Sequence, residues 1–155
     1  MVVRRLRPVG VEFVESAPVR MVFAREMSAS PESVFRALAE DVAGWADWFS
    51  AVTRARPTAG GREVWLRGGA RFQETVLVAE APEIYAYRVD VTNVPGVRAL
   101  VEEWRVVPAG RGSRVQWTFV ADGSGAFRAV LRMARPGWGR AFREAVTALD
   151  RRLGA

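Results

Sequence analysis

The chain contains neither cysteine nor histidine. Without cysteine there is no disulfide framework, thiolate nucleophile or thiolate-bound metal. Without histidine, Ser-His-Asp and Cys-His machinery is excluded, as are the common zinc sites. The side chain that ordinarily titrates near neutral pH is also missing. Proton transfer falls to carboxylates, to the two tyrosines or to water, and no metal and no cofactor is expected. Lysine is absent too, so all 23 basic residues are arginine. They give a net charge of +6 but are scattered, with short clusters only at "RRLR" and "DRRLG". Such scatter reads as the bias of a G+C-rich coding sequence. Without a helix-turn-helix, zinc-finger or RNP-like pattern, nucleic acid is not an expected partner. No apolar run approaches the roughly 20 residues needed to span a bilayer. The basic start "MVVRRLRPVG" leads into no apolar stretch or cleavage site. A cytoplasmic protein with no membrane span and no removed leader is expected.

What is present is ordinary for a globular domain: 155 residues, half of them hydrophobic and about a quarter charged, enough to bury one core. The first eighteen residues alternate at Val9, Val11 and Phe13 and predict an arm or an extra strand. "VRMVFAREMS" alternates Met21, Phe23 and Met27 against Val22, Ala24 and Glu26, as a strand does. "SASPESVFRALAED" opens a helix, with Ser30 as the cap and Pro31 at the first helical position. After Gly44, the stretch "GWADWFSAV" puts Trp45, Trp48, Phe49 and Val52 at i, i+3, i+4 and i+7. That spacing predicts a second short helix, although the segment sits where a loop would be expected.

From Ala51 to about Asp122 the period becomes two. The runs are "AVTRARPT", "REVWLR", "ARFQETVLVAEA", "EIYAYRVDVT", "ALVEEWRVVPA" and "SRVQWTFVADG". Separators such as Gly60-Gly61, Gly68-Gly69 and Pro95-Gly96 are short turns, which force neighbouring strands antiparallel. "PAGRGSR" and Gly123-Ser124-Gly125 lack the context of a phosphate loop and read as turns. The tail from Gly125 returns to helical period and should kink or split at Pro136-Gly137. Strand, two helices, six strands and a long helix make an α+β layer arrangement. A helix laid across a curved antiparallel sheet leaves room for a ligand between them.

This order, with "SASPESVFRALAEDVAGWADWFSAV", the Gly-containing turn before "ARFQETV", "APEIYAYRV" and "EEWRVVPAGRGSRVQWTF", resembles the START-like (SRPBCC) superfamily in its polyketide cyclase/dehydrase branch. The resemblance spans residues 19 to 153. It implies a helix-grip fold: about seven antiparallel strands wrapped around the carboxy-terminal helix, in one domain of residues 19–155, enclosing a hydrophobic tunnel. Members bind lipids, sterols, quinones or polyketides, or act as aromatase/cyclases on chains carried by an acyl carrier protein. The fold itself does not choose among these.

If the apolar faces point inward, Phe72, Val76, Tyr85, Tyr87, Val89, Trp104, Val106, Val115, Trp117 and Phe119 share one face with Glu74 and Glu102. These aromatics are either plain core or a lined cavity, which tryptophan and tyrosine suit with an apolar body and a polar tip. The expected ligand contacts are Trp45, Trp48, Phe49, Phe72, Glu74, Tyr85, Tyr87, Arg88, Glu102, Trp104, Trp117, Phe119, Trp138 and Phe142. Trp45, Trp48 and Phe49 either seal one end of the tunnel or reach the ligand. Glu74 and Glu102 need a partner. Each pairs with an arginine, meets water at a mouth, or titrates in burial as a general acid or base. The resemblance implies an arginine on these strands reaching the ligand, at Arg88 or Arg71. Simple alternation instead sets Arg88 opposite Tyr85 and Tyr87, so only a bulge would bring it inward. Cyclases of this kind also carry a polar aromatic near the position of Val52, which this chain lacks.

The leading expectation is a binding protein for a hydrophobic or aromatic small molecule. An aromatase/cyclase is the alternative, with Tyr85 or Tyr87 beside Glu74 or Glu102 as acid and base and Arg88 steadying an enolate. A third reading is an interaction module with a vestigial pocket, whose basic surface meets an acidic partner such as a carrier protein.

Overall fold

The computed structural model describes residues 2–154. An arm comes first. Arg4–Arg5 forms a two-residue strand, β1, and Phe13–Ser16 a single helical turn, α1. Then follow β2 (Val19–Met27), α2 (Pro31–Ala39), α3 (Trp45–Trp48), β3 (Val52–Thr58), β4 (Gly61–Leu66), β5 (Arg71–Glu80), β6 (Ile84–Thr92), β7 (Val97–Ala109) and β8 (Gly112–Gly123). Two helices close the chain, α4 (Gly125–Met133) and α5 (Arg135–Gly154). The strands run β2-β8-β7-β6-β5-β4-β3 across one sheet, each antiparallel to its neighbour as the short turns require. The helix-grip architecture is present: a curved antiparallel sheet around a long carboxy-terminal helix.

The local signals act as their chemistry dictates. Ser30 Oγ accepts from the Ser33 amide at 3.2 Å with Pro31 at the helix start. Ser124 Oγ caps α4 through the Phe127 amide at 3.1 Å. The break in the tail comes two residues before Pro136, at Ala134, between α4 and α5. A proline ring clashes with the carbonyl four residues back. Pro136 is therefore accommodated in the first turn of α5, and α4 stops at Met133.

The arm differs from its expected pattern. The strand is at Arg4–Arg5, pairing with Thr92 and Val91 of β6, and Phe13 starts a helical turn instead of ending a strand. The β6–β7 ladder ends at Arg88↔Val101. Beyond it the arm fills the gap, with the Leu6 amide donating to Asp90 O and the Arg7 amide to Arg98 O, each at 2.8 Å. Phe13 and Val14 then pack on Ala99, Val101 and Val120, a small second core. The main core lies on the other face, where Val34 and Leu38 of α2, Trp45 and Trp48 of α3, and Phe142, Val146 and Leu149 of α5 meet Tyr87, Trp104, Trp117 and Phe119 of the sheet. Among the described residues, no helix is long and apolar enough to cross a membrane.

Candidate functional site

The packing of α3 and α5 on the sheet leaves a cavity of about 450 Å³. Its apolar wall comes from Trp45 and Phe49 at the α3 end, Val64, Leu66 and Phe72 on β4 and β5, and Trp117 of β8. Trp138 and Ala141 of α5 complete it. Arg67 and Gly137, both exposed, line the side where the β4–β5 hairpin approaches the α4–α5 break. At the other end Arg62, Glu74, Tyr87 and Glu102 converge, all of them buried.

Alternation places these four. Arg62 shares the inner face of β4 with Val64 and Leu66, Glu74 follows Phe72 on β5, and Tyr87 and Glu102 are cross-strand partners of β6 and β7. Arg62 and Glu74 are likewise directly opposed. Gly61, one residue earlier, lets the strands come together there: a Cβ on it would lie 1.8 Å from the Glu74 carbonyl oxygen. Arg62 Nε donates to Glu74 Oε1 at 2.5 Å. The Arg62 Cζ lies 4.2 Å from the ring centroid of Trp45 and 4.4 Å from that of Tyr87, within cation–π range. Glu102 Oε1 accepts twice, from the Tyr87 hydroxyl at 3.0 Å and from Trp117 Nε1 at 2.9 Å. Trp104 Nε1 donates to the Tyr87 oxygen at 3.2 Å, so the hydroxyl is held at both ends.

The electrostatics follow from burial. Desolvation alone would lower Arg62, but the Glu74 carboxylate and the two tyrosines hold it above its ordinary range. Arg62 is therefore a cation, and Glu74 is the carboxylate that neutralises it, its own burial penalty opposed by that contact. Glu102 has no such cation on it. Burial pushes its carboxyl up to about 7, the Glu74 charge adds to the rise, and Arg62, Tyr87 and Trp117 oppose it. Burial and the Glu102 charge drive Tyr87 well above its usual value, and burial also raises Tyr85. The site therefore holds one neutralised cation and one carboxyl able to gain or lose a proton near neutrality. Among the described residues, no cluster of carboxylates could hold a metal ion.

Of the expected ligand contacts, Trp45, Phe49, Phe72, Glu74, Tyr87, Glu102, Trp117 and Trp138 line this cavity. Trp48, Tyr85, Trp104, Phe119 and Phe142 lie outside the lining as buried core. Trp104 stacks on Trp117 at 5.4 Å between centroids and supports that wall. Arg88 does not reach the cavity. The β6 bulge falls at Asp90, between the pairs Gln73↔Val91 and Glu74↔Val89, and so lies beyond Arg88 and leaves its alternation intact. Arg88 Nε donates instead to Asp90 Oδ1 at 2.8 Å, in a polar depression lined also by Arg5 and Thr75 that shares only Arg62 and Glu74 with the cavity. Arg71 pairs with Glu63 at 2.7 Å. The arginine at the buried polar end of the cavity is Arg62, which is not among the residues expected from sequence. Its signal was its place in "REVWLR", in step with Val64 and Leu66, hidden by the abundance of arginine elsewhere.

Comparison with known proteins agrees with this architecture. The model of a family described as polyketide cyclase/dehydrase and lipid transport matches residues 18–154. Uncharacterised proteins of Mycobacterium tuberculosis and Mycobacterium bovis are 30% identical over 135 residues, covering 83% of this chain and 80% of theirs. Among solved structures, XoxI of Bacillus cereus superposes with a TM-score of 0.70 at 18% identity, covering 87% of this chain and 95% of its own. A START superfamily protein of Mycobacterium smegmatis gives 0.65 at 12% identity, covering 87% and 97%. The di-domain aromatase/cyclase BexL of the BE-7585A biosynthetic pathway gives 0.68 at 17% identity, covering 86% of this chain and 45% of BexL. At these identities the structural likenesses establish the fold alone.

Proposed function

The chain belongs to the polyketide cyclase/dehydrase and lipid transport family, and on that premise we propose that it binds a hydrophobic or aromatic small molecule, lipid- or polyketide-like, in the cavity between sheet and α5. The observation that carries this reading is a cavity of about 450 Å³ with aromatic and aliphatic walls and one compact polar end. Ligand sites span roughly 300–1,000 Å³ and combine an apolar lining with a few convergent polar groups. Native mass spectrometry of freshly purified protein is the test. A co-purifying small molecule lost on Val64→Trp, which fills the cavity, is the expected result. If no compound is retained and a thermal-shift screen of polycyclic aromatics and long-chain lipids raises the melting temperature with none, the reading falls.

One observation favours a second reading, an aromatase/cyclase acting on a chain carried by an acyl carrier protein. Glu102, titrating at about 7, is hydrogen-bonded to Tyr87 inside the same cavity. In that reading Glu102 takes a proton from a carbon flanked by carbonyls, the enolate carbon attacks a carbonyl further along the chain, and the proton passes to the new alkoxide. Loss of a second proton from the same carbon then lets that oxygen leave as water, while Arg62, not Arg88, steadies the enolate. Loss of turnover in Glu102→Gln and Tyr87→Phe, with Arg88→Ala unaffected, is expected. Full turnover in Glu102→Gln removes it.

A further inference from the structure

Arg62 reaches the cavity in an unusual state for a ligand-binding arginine. Its Nε is committed to Glu74, yet among the described residues its Nη1 is buried and has no hydrogen-bond partner. Its charge is cancelled, but its hydrogen-bonding capacity is not. Glu102 complements it: both hydrogen bonds to this carboxyl fall on Oε1, leaving Oε2 without one among the described residues. A buried N–H without an acceptor is costly and favours any ligand oxygen that completes it. A ligand carboxylate would add a negative charge beside Glu74 and Glu102, with a single guanidinium for the three.

Resting on the ligand-binding reading above, we propose that the Arg62–Glu74–Glu102 end selects ligands by charge. It takes a neutral oxygen acceptor, such as an aryl ketone, quinone or phenol oxygen, in preference to a carboxylate of the same shape. The neutral oxygen accepts from Arg62, and the free oxygen of Glu102 receives a ligand hydroxyl or, when protonated, donates. Burial and the Glu74 charge raise Glu102 against the opposing Arg62 charge, so this end already holds one carboxyl at a disadvantage as an anion. A carboxylate at this end meets a net unfavourable field.

Three probes of one size separate the possibilities: 2-acetylnaphthalene, 2-ethylnaphthalene and 2-naphthoate. Binding is read by equilibrium dialysis at about pH 8, where Glu102 and 2-naphthoate are both anions. The ketone is expected to bind at least about tenfold more tightly than either of the others, a difference of about 1.4 kcal/mol. In Arg62→Met/Glu74→Gln, which removes both charges together, the ketone should fall to the level of the ethyl compound. Should that variant not fold, the wild-type ranking decides alone. Naphthoate binding as tightly as the ketone overturns charge selection, and so does a ketone no better than the ethyl compound; in both cases ligand binding stands. Binding of none of the three overturns this inference, while the ligand-binding reading stands or falls on the retained compound and the thermal-shift screen.

Discussion

Glu102 and Glu103 are adjacent in the chain and almost equally hidden, at 7% and 5% exposure, but strand alternation sends them to opposite faces of the sheet. Glu103 meets Arg105 at 2.8 Å, on an arginine whose side chain is half exposed. Glu102 faces Tyr87, Trp117 and the cavity, where burial raises its carboxyl to about 7. The same contrast separates two arginine–glutamate pairs. Arg62–Glu74 is enclosed, with side chains 4% and 1% exposed, whereas Arg105–Glu103 has one partner in water. On the outer face a hidden carboxylate is paired with an arginine that itself reaches water. On the inner face it is either neutralised by a buried cation or driven toward its protonated form. The chemistry of the protein lies in that difference.

The comparison breaks most sharply at Glu74. Glu74→Gln leaves Arg62 charged and enclosed without its counterion, which should cost about 3–5 kcal/mol in urea denaturation. Glu103→Gln, on the half-exposed pair, should cost about 1 kcal/mol or less. Equal losses from the two would mean that burial does not distinguish the faces.

Glu102 sharpens the comparison through pH. Its folded pKa of about 7 stands above its ordinary 4.5, so the native state holds a proton that the unfolded chain releases. Its contribution to stability is complete below about pH 4.5, falls as pH rises through 7, and is lost above that. The groups facing it are Arg62, Glu74, Tyr85 and Tyr87; Arg62 and the two tyrosines are held above their already basic ordinary values, and burial raises Glu74 as well, so a variant at Glu102 itself is needed to isolate its titration. Glu102→Gln keeps the acceptor for Tyr87 and Trp117 and removes the titration. It should flatten the pH profile and raise stability above pH 8 by up to about 3 kcal/mol. A wild-type profile that is already flat between pH 5 and 8 would contradict this.

Tyr87→Phe comes next. It removes the donor to Glu102 and the acceptor for Trp104 while keeping the ring against Arg62. A loss of about 1–2 kcal/mol is expected, with the midpoint of the Glu102 titration moving further up, because the hydroxyl favours the ionised carboxylate.

Much of this was legible in the residues because burial on one face imposes a period. The seven long strands, the cap at Ser30 and the helical spacing of Trp45, Trp48 and Phe49 each express a local rule that the tertiary structure does not oppose. The site was half legible. Glu74 and Glu102 stand out as carboxylates on an apolar face. Alternation does not say that Glu74 meets a cation across the β4–β5 ladder while Glu102 meets only neutral donors, because register between strands is a long-range property. Arg62 was hidden for the same reason, its identity as an inward cation depending on the glutamate opposite. The position of the arm's strand was not legible in its alternation, because its pairing partner is the end of β6 that β7 has left, a vacancy created by the rest of the fold.

The smallest effect tests the placement of the two arginines. Arg88 is partly exposed and its bond to Asp90 is on the far side of β6 from Tyr87. An ion pair of that exposure contributes a few tenths to about 1 kcal/mol. Arg88→Ala should therefore shift stability by less than about 1 kcal/mol and leave 2-acetylnaphthalene affinity unchanged, whereas Arg62→Met/Glu74→Gln lowers it about tenfold. Both arginines sit on central strands of the sheet and both contact a carboxylate, so composition and pairing do not separate them. Only the side of the pleat does. If Arg88→Ala weakened the ketone as much as the Arg62 variant, β6 would have to present that residue inward in solution. The bulge would then precede Arg88, and the polar end of the cavity would be built on a different arginine.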